Sequence, residues 1–128
     1  MAISIVRLGG PRTEDEGLRI GTVRRPPRGV PKADYAAKNI YDLWFPNLSP
    51  SEPLLKQFWP IENEQSWRAF KRRFLAEMKL QGAKRDLDLL AALSRQTNFS
   101  IGCYCDDASR CHRSILKELL EKLGAAIK

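Results

Sequence analysis

Residues 99–124 read FSIGCYCDDASRCHRSILKELLEKLG, and this stretch decides the fold. Phe99 to Cys105 is a short apolar run, which reads as a buried strand. Asp106 to Arg110 is a polar turn. From Cys111 the apolar residues recur at Ile115, Leu116, Leu119, Leu120 and Leu123, which predicts a helix with these side chains inward and Gly124 as its cap. A strand that turns directly into a helix belongs to an α/β sheet, and in a parallel sheet such a turn lies at the carboxyl end of its strand, where ligands bind.

Working outward, Ala2 to Arg7 alternates apolar and polar residues and reads as a strand ended by Gly9, Gly10 and Pro11. Leu18 to Arg24 and the aromatic Ile40 to Phe45 are further strand candidates. Between them Pro26, Pro27 and Pro31 lack amide donors, so residues 26–31 form a surface loop. Ser51 to Phe58 predicts a short helix. Asn63 caps a longer one through about Leu80, with Trp67, Phe70, Phe74 and Met78 as its apolar stripe and Gly82 as its end. Lys84 to Arg95 predicts another helix. The expected fold is a single α/β domain over residues 1–128: a small mixed, partly parallel sheet packed by helices.

The segment Cys103 to Arg113 carries the chemistry. A helix starting near Cys111 aims unpaired N–H groups and a partial positive charge at the turn, Ser109 or Asp107 can cap it, and Arg110 and Arg113 add fixed charge. That is the composition of an anion site. The same surroundings would stabilise a thiolate at Cys111 or Cys105, with His112 beside them, so thiol catalysis by Cys105, Cys111 and His112 competes with simple binding. Cys103 and Cys105 alternate with Tyr104 and should share a sheet face. A metal site is not expected, because C-x-C with an adjacent Cys-His is not standard zinc spacing and no second ligand pair follows. No cofactor is expected. The structural alternative makes Cys103 and Cys111 core packers and pairs Arg113 with Asp106 or Asp107.

Composition narrows the partners. Of 128 residues, 22 are Lys or Arg and 15 Asp or Glu, a net charge of +7. Such a surface concentrates phosphates or nucleic acid, and the basic helix Arg68 to Lys79 is the candidate nucleic-acid face. Three cysteines within nine residues, with no secretory pattern at Met1 to Arg7, point to reduced thiols and a cytoplasmic setting. No apolar run is long enough to span a membrane. Oligomeric state is not legible.

These segments together resemble the domain-of-unknown-function 488 family. Cys103 followed by Cys111-His112-Arg113-Ser114 and an apolar helix is similar to its carboxyl-terminal signature. Residues 44–51 (WFPNLSPS), 67–77 (WRAFKRRFLAE) and 24–30 (RRPPRGV) resemble its middle segment, its aromatic and arginine-rich helix and its early arginine loop. The early loop departs at Val23 and Pro26, where the family usually carries an acidic residue and a tryptophan. The resemblance puts Arg24, Arg28 and Arg113 at motif positions on separate segments. With the early strand beside the Cys103 strand, these arginines would converge on one pocket. The expected ligand-binding set is Arg24, Arg28, Cys103, Arg110, Arg113 and Ser114, and the expected ligand is a small anionic or phosphate-bearing molecule. The alternatives are a cysteine-dependent enzyme of sulfur or phosphoryl transfer and a basic nucleic-acid-binding protein.

Overall fold

The computed structural model describes residues 1–105 and 108–128. Four strands, β1 (Ile3–Arg7), β2 (Leu18–Gly21), β3 (Leu43–Trp44) and β4 (Phe99–Cys103), form one sheet in the order β1-β4-β2-β3. Every described pairing is parallel, so the expected parallel part of the sheet extends to all of it. The register sets Ile5 and Ile20 on either side of Ile101, and Gly21 opposite Gly102. The last strand in sequence therefore lies near the middle. That is why β4 is buried at all five positions and reads as a continuous apolar run. The third strand candidate shrinks to Leu43–Trp44, at the sheet edge.

The helices are α1 (Glu52–Phe58), α2 (Glu64–Glu77), α3 (Gln81–Leu93) and α4 (His112–Lys122). The first two start where their caps predict. The Ser51 hydroxyl accepts from the Leu54 amide at 3.4 Å, and the Asn63 side-chain Oδ1 from the Ser66 amide at 2.8 Å. Gly82 does not end α2. It lies in the first turn of α3, where a bare Cα lets the Asn47 side chain approach; an added Cβ would be 3.0 Å from Nδ2. Gly124 does take the left-handed conformation after α4, at φ +84°.

Phe70, Phe74, Leu87, Leu90, Leu116 and Leu120 pack onto Ile3, Ile20, Phe99 and Ile101 of the sheet. Full burial of one such side chain stabilises by roughly 1.5–3 kcal/mol. Trp67 is only partly buried, and Leu123, expected inward, is exposed because the helix ends at that point. A second, smaller apolar cluster joins Leu8, Val23, Ile40, Tyr41, Cys103 and Cys111 at the carboxyl end of the strands.

Arg19 of β2 is fully buried. Its Nε and Nη2 donate to the two Glu16 oxygens at 2.8 and 2.9 Å, and further N–H groups reach the carbonyls of Gly10, Asn39 and Pro11. Ser100 of β4 completes the Glu16 shell at 2.8 Å. One planar fork thus ties the loops after β1 and before β3 to the sheet. The Arg19 hydrogen bonds hold the Glu16 carboxyl below its usual range, against the opposing effect of burial.

Candidate functional site

A parallel sheet delivers the loops that follow its strands to one edge. Here the loops after β2, β3 and β4 meet around a cleft of about 620 Å³. Its walls include Val23, Arg24, Arg25, Pro26, Pro27 and Arg28 from the β2 loop, Ser49 and Pro50 after β3, and Glu52, Leu55, Lys56 and Trp59 in and just after α1. Cys103, Tyr104, Cys105 and His112 line it from the β4 side. The adjacency of β2 and β4 is what brings Arg24 to the cysteines: Thr22 N–H bonds the Gly102 carbonyl at 2.9 Å, two residues before the arginine.

The expected ligand residues divide. Arg24, Arg28 and Cys103 line the cleft, with Cys105 and His112. Arg24 also braces its wall, with Nε and Nη2 donating to the carbonyls of Pro50 and Ser49 at 3.1 and 2.9 Å. No Arg24–carboxylate pair occurs among the described residues; Asp42 pairs with Arg12 and Glu77 with Ser51. Arg28 is exposed and has no ion pair or hydrogen-bond partner among them. Arg110 lies elsewhere, 3.7 Å from Glu64 of α2. Ser114 turns back onto the Cys111 carbonyl at 2.8 Å. Arg113 is buried, with Nη1 donating to the Val6 carbonyl at 2.6 Å and Nη2 to that of Cys105 at 2.7 Å, while Nε–H finds no acceptor among the described residues. It braces β1 to the turn. Asp106 and Asp107, its expected partners, lie outside the described residues, as does the expected Asp107 cap. Cys111 occupies the cap position of α4 and makes no side-chain cap bond.

Cys103 and Cys111 are buried in the apolar cluster, and Cys105 is half-buried at the cleft. Hydrogen bonding among the three sulfurs sorts their protons. Cys105 accepts from Cys103 and from Cys111, which pulls its thiol well below the usual range despite burial, with His112 and Arg113 adding to the effect. Cys103 is pushed up to about 11, first by its bond to Cys105, and Cys111 is pushed up by its bonds to Cys103 and Cys105. His112 is lowered to about 4 by complete burial and is neutral at pH 7. Its Nε2 lies 2.5 Å from the Thr22 carbonyl, an acceptor only, so Nε2 carries the proton. Nδ1 then offers a lone pair toward Cys111 Sγ, 3.8 Å away.

Arg25, Lys56, Tyr104 and Thr22 were not anticipated from the sequence. Arg25 had a signal, since it adjoins Arg24 in the arginine loop. Lys56 had none, because only the crossover from β3 through α1 brings it to this edge.

No curated protein and no solved structure matches the chain. A family model described as the active DUF488-N3 subclade matches residues 3–124, which span every strand and helix described above, the cleft and the three cysteines. The chain belongs to the DUF488 family.

Proposed function

We propose that the protein binds a small phosphate-bearing anion in the cleft at the carboxyl edge of the sheet. One observation carries this reading: among the described residues, four cations, Arg24, Arg25, Arg28 and Lys56, line the cleft against a single carboxylate, Glu52. Arg25 spends its charge on Glu52 at 2.7 Å in an exposed, screened pair. Arg28 and Lys56 have no ion-pair partner among the described residues, so they supply the attraction. Trp59 and Tyr104 add aromatic surface at the same cleft, suited to a ligand with an apolar or ring portion beside its phosphate.

The nucleic-acid alternative has less behind it. On α2, Arg68 pairs with Glu64, Lys71 with Glu118, and Arg73 bonds Gln57 while lying over the Phe58 ring. Thiol transfer shares the cleft and adds the half-buried Cys105. It requires iodoacetamide to label Cys105 readily at pH 7.

Calorimetric titration with inorganic pyrophosphate and with a nucleoside monophosphate tests the reading. Arg28→Ala and Lys56→Ala should each weaken binding about tenfold to a hundredfold, the worth of a charged hydrogen bond. Absence of heat with either probe, or unchanged affinity in both variants, would refute it. Preference for an oligonucleotide, with affinity falling steeply in salt, would move the assignment to nucleic acid.

A further inference from the structure

Cys103, Cys111 and His112 are buried, and their ligand atoms all lie within 4.8 Å of one another. The two cysteines and the histidine come from a strand end and a helix start that the fold brings together, which is why linear spacing did not suggest a metal site. Bond lengths of about 2.3 Å for Zn–S and 2.0–2.1 Å for Zn–N put the S···N edge of a tetrahedron at roughly 3.5 Å. The Cys111 Sγ to His112 Nδ1 separation is 3.8 Å.

Three further observations point the same way. Nε2–H of His112 is held by the Thr22 carbonyl, which leaves Nδ1 as the free donor and matches the outer-shell bond typical of a metal-bound imidazole. Cys105 lines the cleft beside this group, two residues along the chain from Cys103; its sulfur is outside the set that converges within 4.8 Å, so it is a fourth thiolate that an ion would draw in. Arg113 is 4% exposed, and among the described residues its Nε–H has no acceptor and no carboxylate pairs with it. A divalent ion held by three thiolates and a neutral imidazole carries one net negative charge, which this buried guanidinium would balance.

We propose that Cys103, Cys111 and His112 are three corners of a tetrahedral site for a divalent ion of the zinc type, with Cys105 drawn in from the cleft as the fourth ligand. Each sulfur binds as thiolate, any thiol proton passing to solvent, and His112 Nδ1 donates its lone pair without losing a proton. The site goes beyond the anion reading and uses none of the four cationic side chains at the cleft. It takes the same Cys105 sulfur that thiol transfer would need.

The test uses the reduced, metal-free full chain titrated with Co²⁺. One equivalent should give a sulfur-to-cobalt charge-transfer band with the intense visible bands of tetrahedral cobalt, both abolished by Zn²⁺. Zn²⁺ should also suppress iodoacetamide labelling of Cys105. Cys105→Ser, a half-buried position that should keep the fold, should weaken the charge-transfer band and lower Zn²⁺ affinity at least about tenfold in chelator competition. A pale octahedral cobalt spectrum, or Cys105 labelling indifferent to Zn²⁺, overturns the site. Arg28→Ala should leave the cobalt spectrum unchanged while weakening pyrophosphate, so either proposal can fail without the other.

Discussion

Replacing Arg19 by Met removes a side chain of nearly the same length together with its charge and donors. In the native protein five hydrogen bonds leave this guanidinium, two to Glu16 and three to the carbonyls of Gly10, Asn39 and Pro11. The Arg19→Met change would leave Glu16, only 3% exposed, with the Ser100 hydroxyl as its remaining side-chain partner. Stranding one member of a buried ion pair costs about 3–5 kcal/mol. For a chain of this length that is a fall in Tm of roughly 10–20 °C. Urea unfolding followed by tryptophan fluorescence measures it. Adding Glu16→Gln should recover about 1–3 kcal/mol, because the stranded charge is gone, so the double variant is less destabilised than the two singles summed. A loss below about 1 kcal/mol for Arg19→Met, or strict additivity in the double variant, would refute the claim that this fork ties the loops to the sheet.

Acid should act through the same contact. The Glu16 pKa is lowered in the fold, chiefly by the Arg19 hydrogen bonds, and that of Asp42 is lowered because its Arg12 and Arg19 bonds outweigh burial. Their stabilisation is complete above the unfolded carboxyl range and disappears as pH falls through the depressed folded values; the unfolding free energy of the wild type should drop below about pH 4.5, with a shallower slope in Arg19→Met/Glu16→Gln. Gly102→Ala places a Cβ 2.6 Å from the Val6 carbonyl oxygen and 2.9 Å from Val6 Cγ2, so β1 and β4 must separate; thermal unfolding should show a loss of about 1–3 kcal/mol, and an unchanged Tm would contradict the close strand approach. Arg113→Lys keeps the charge, but one ammonium cannot reproduce the planar fork to Val6 and Cys105; it should cost about 1–3 kcal/mol and speed hydrogen exchange after β4, whereas wild-type exchange there would argue against the brace.

Local signals in the chain were strong where periodicity and capping agree. The α2 stripe, the Asn63 cap, the closing Gly124 and the buried run of β4 all follow from neighbours within a few residues, because helix and strand periods impose themselves at that range. The strand–turn–helix at Cys103 and the arginine loop were legible for the same reason, and the family resemblance rested on those segments. Gly82 misled, since a glycine tolerated in a first helical turn has the same letter as one that ends a helix.

Tertiary structure alone decided the rest. Insertion of β4 between β1 and β2 sets the Arg24 loop beside the cysteines, and no local pattern encodes which strands become neighbours. The crossover after β3 brings Lys56 of α1 and Trp59 just beyond it to the cleft, and Arg110 ends on Glu64, while the β4 insertion buries Arg113 as a brace. It also gathers two thiols and an imidazole whose linear spacing suggested no common ligand. The amino-acid order specifies which groups exist and which local elements carry them. Where those groups point depends on long-range packing and hydrogen-bond satisfaction, which are properties of the whole chain.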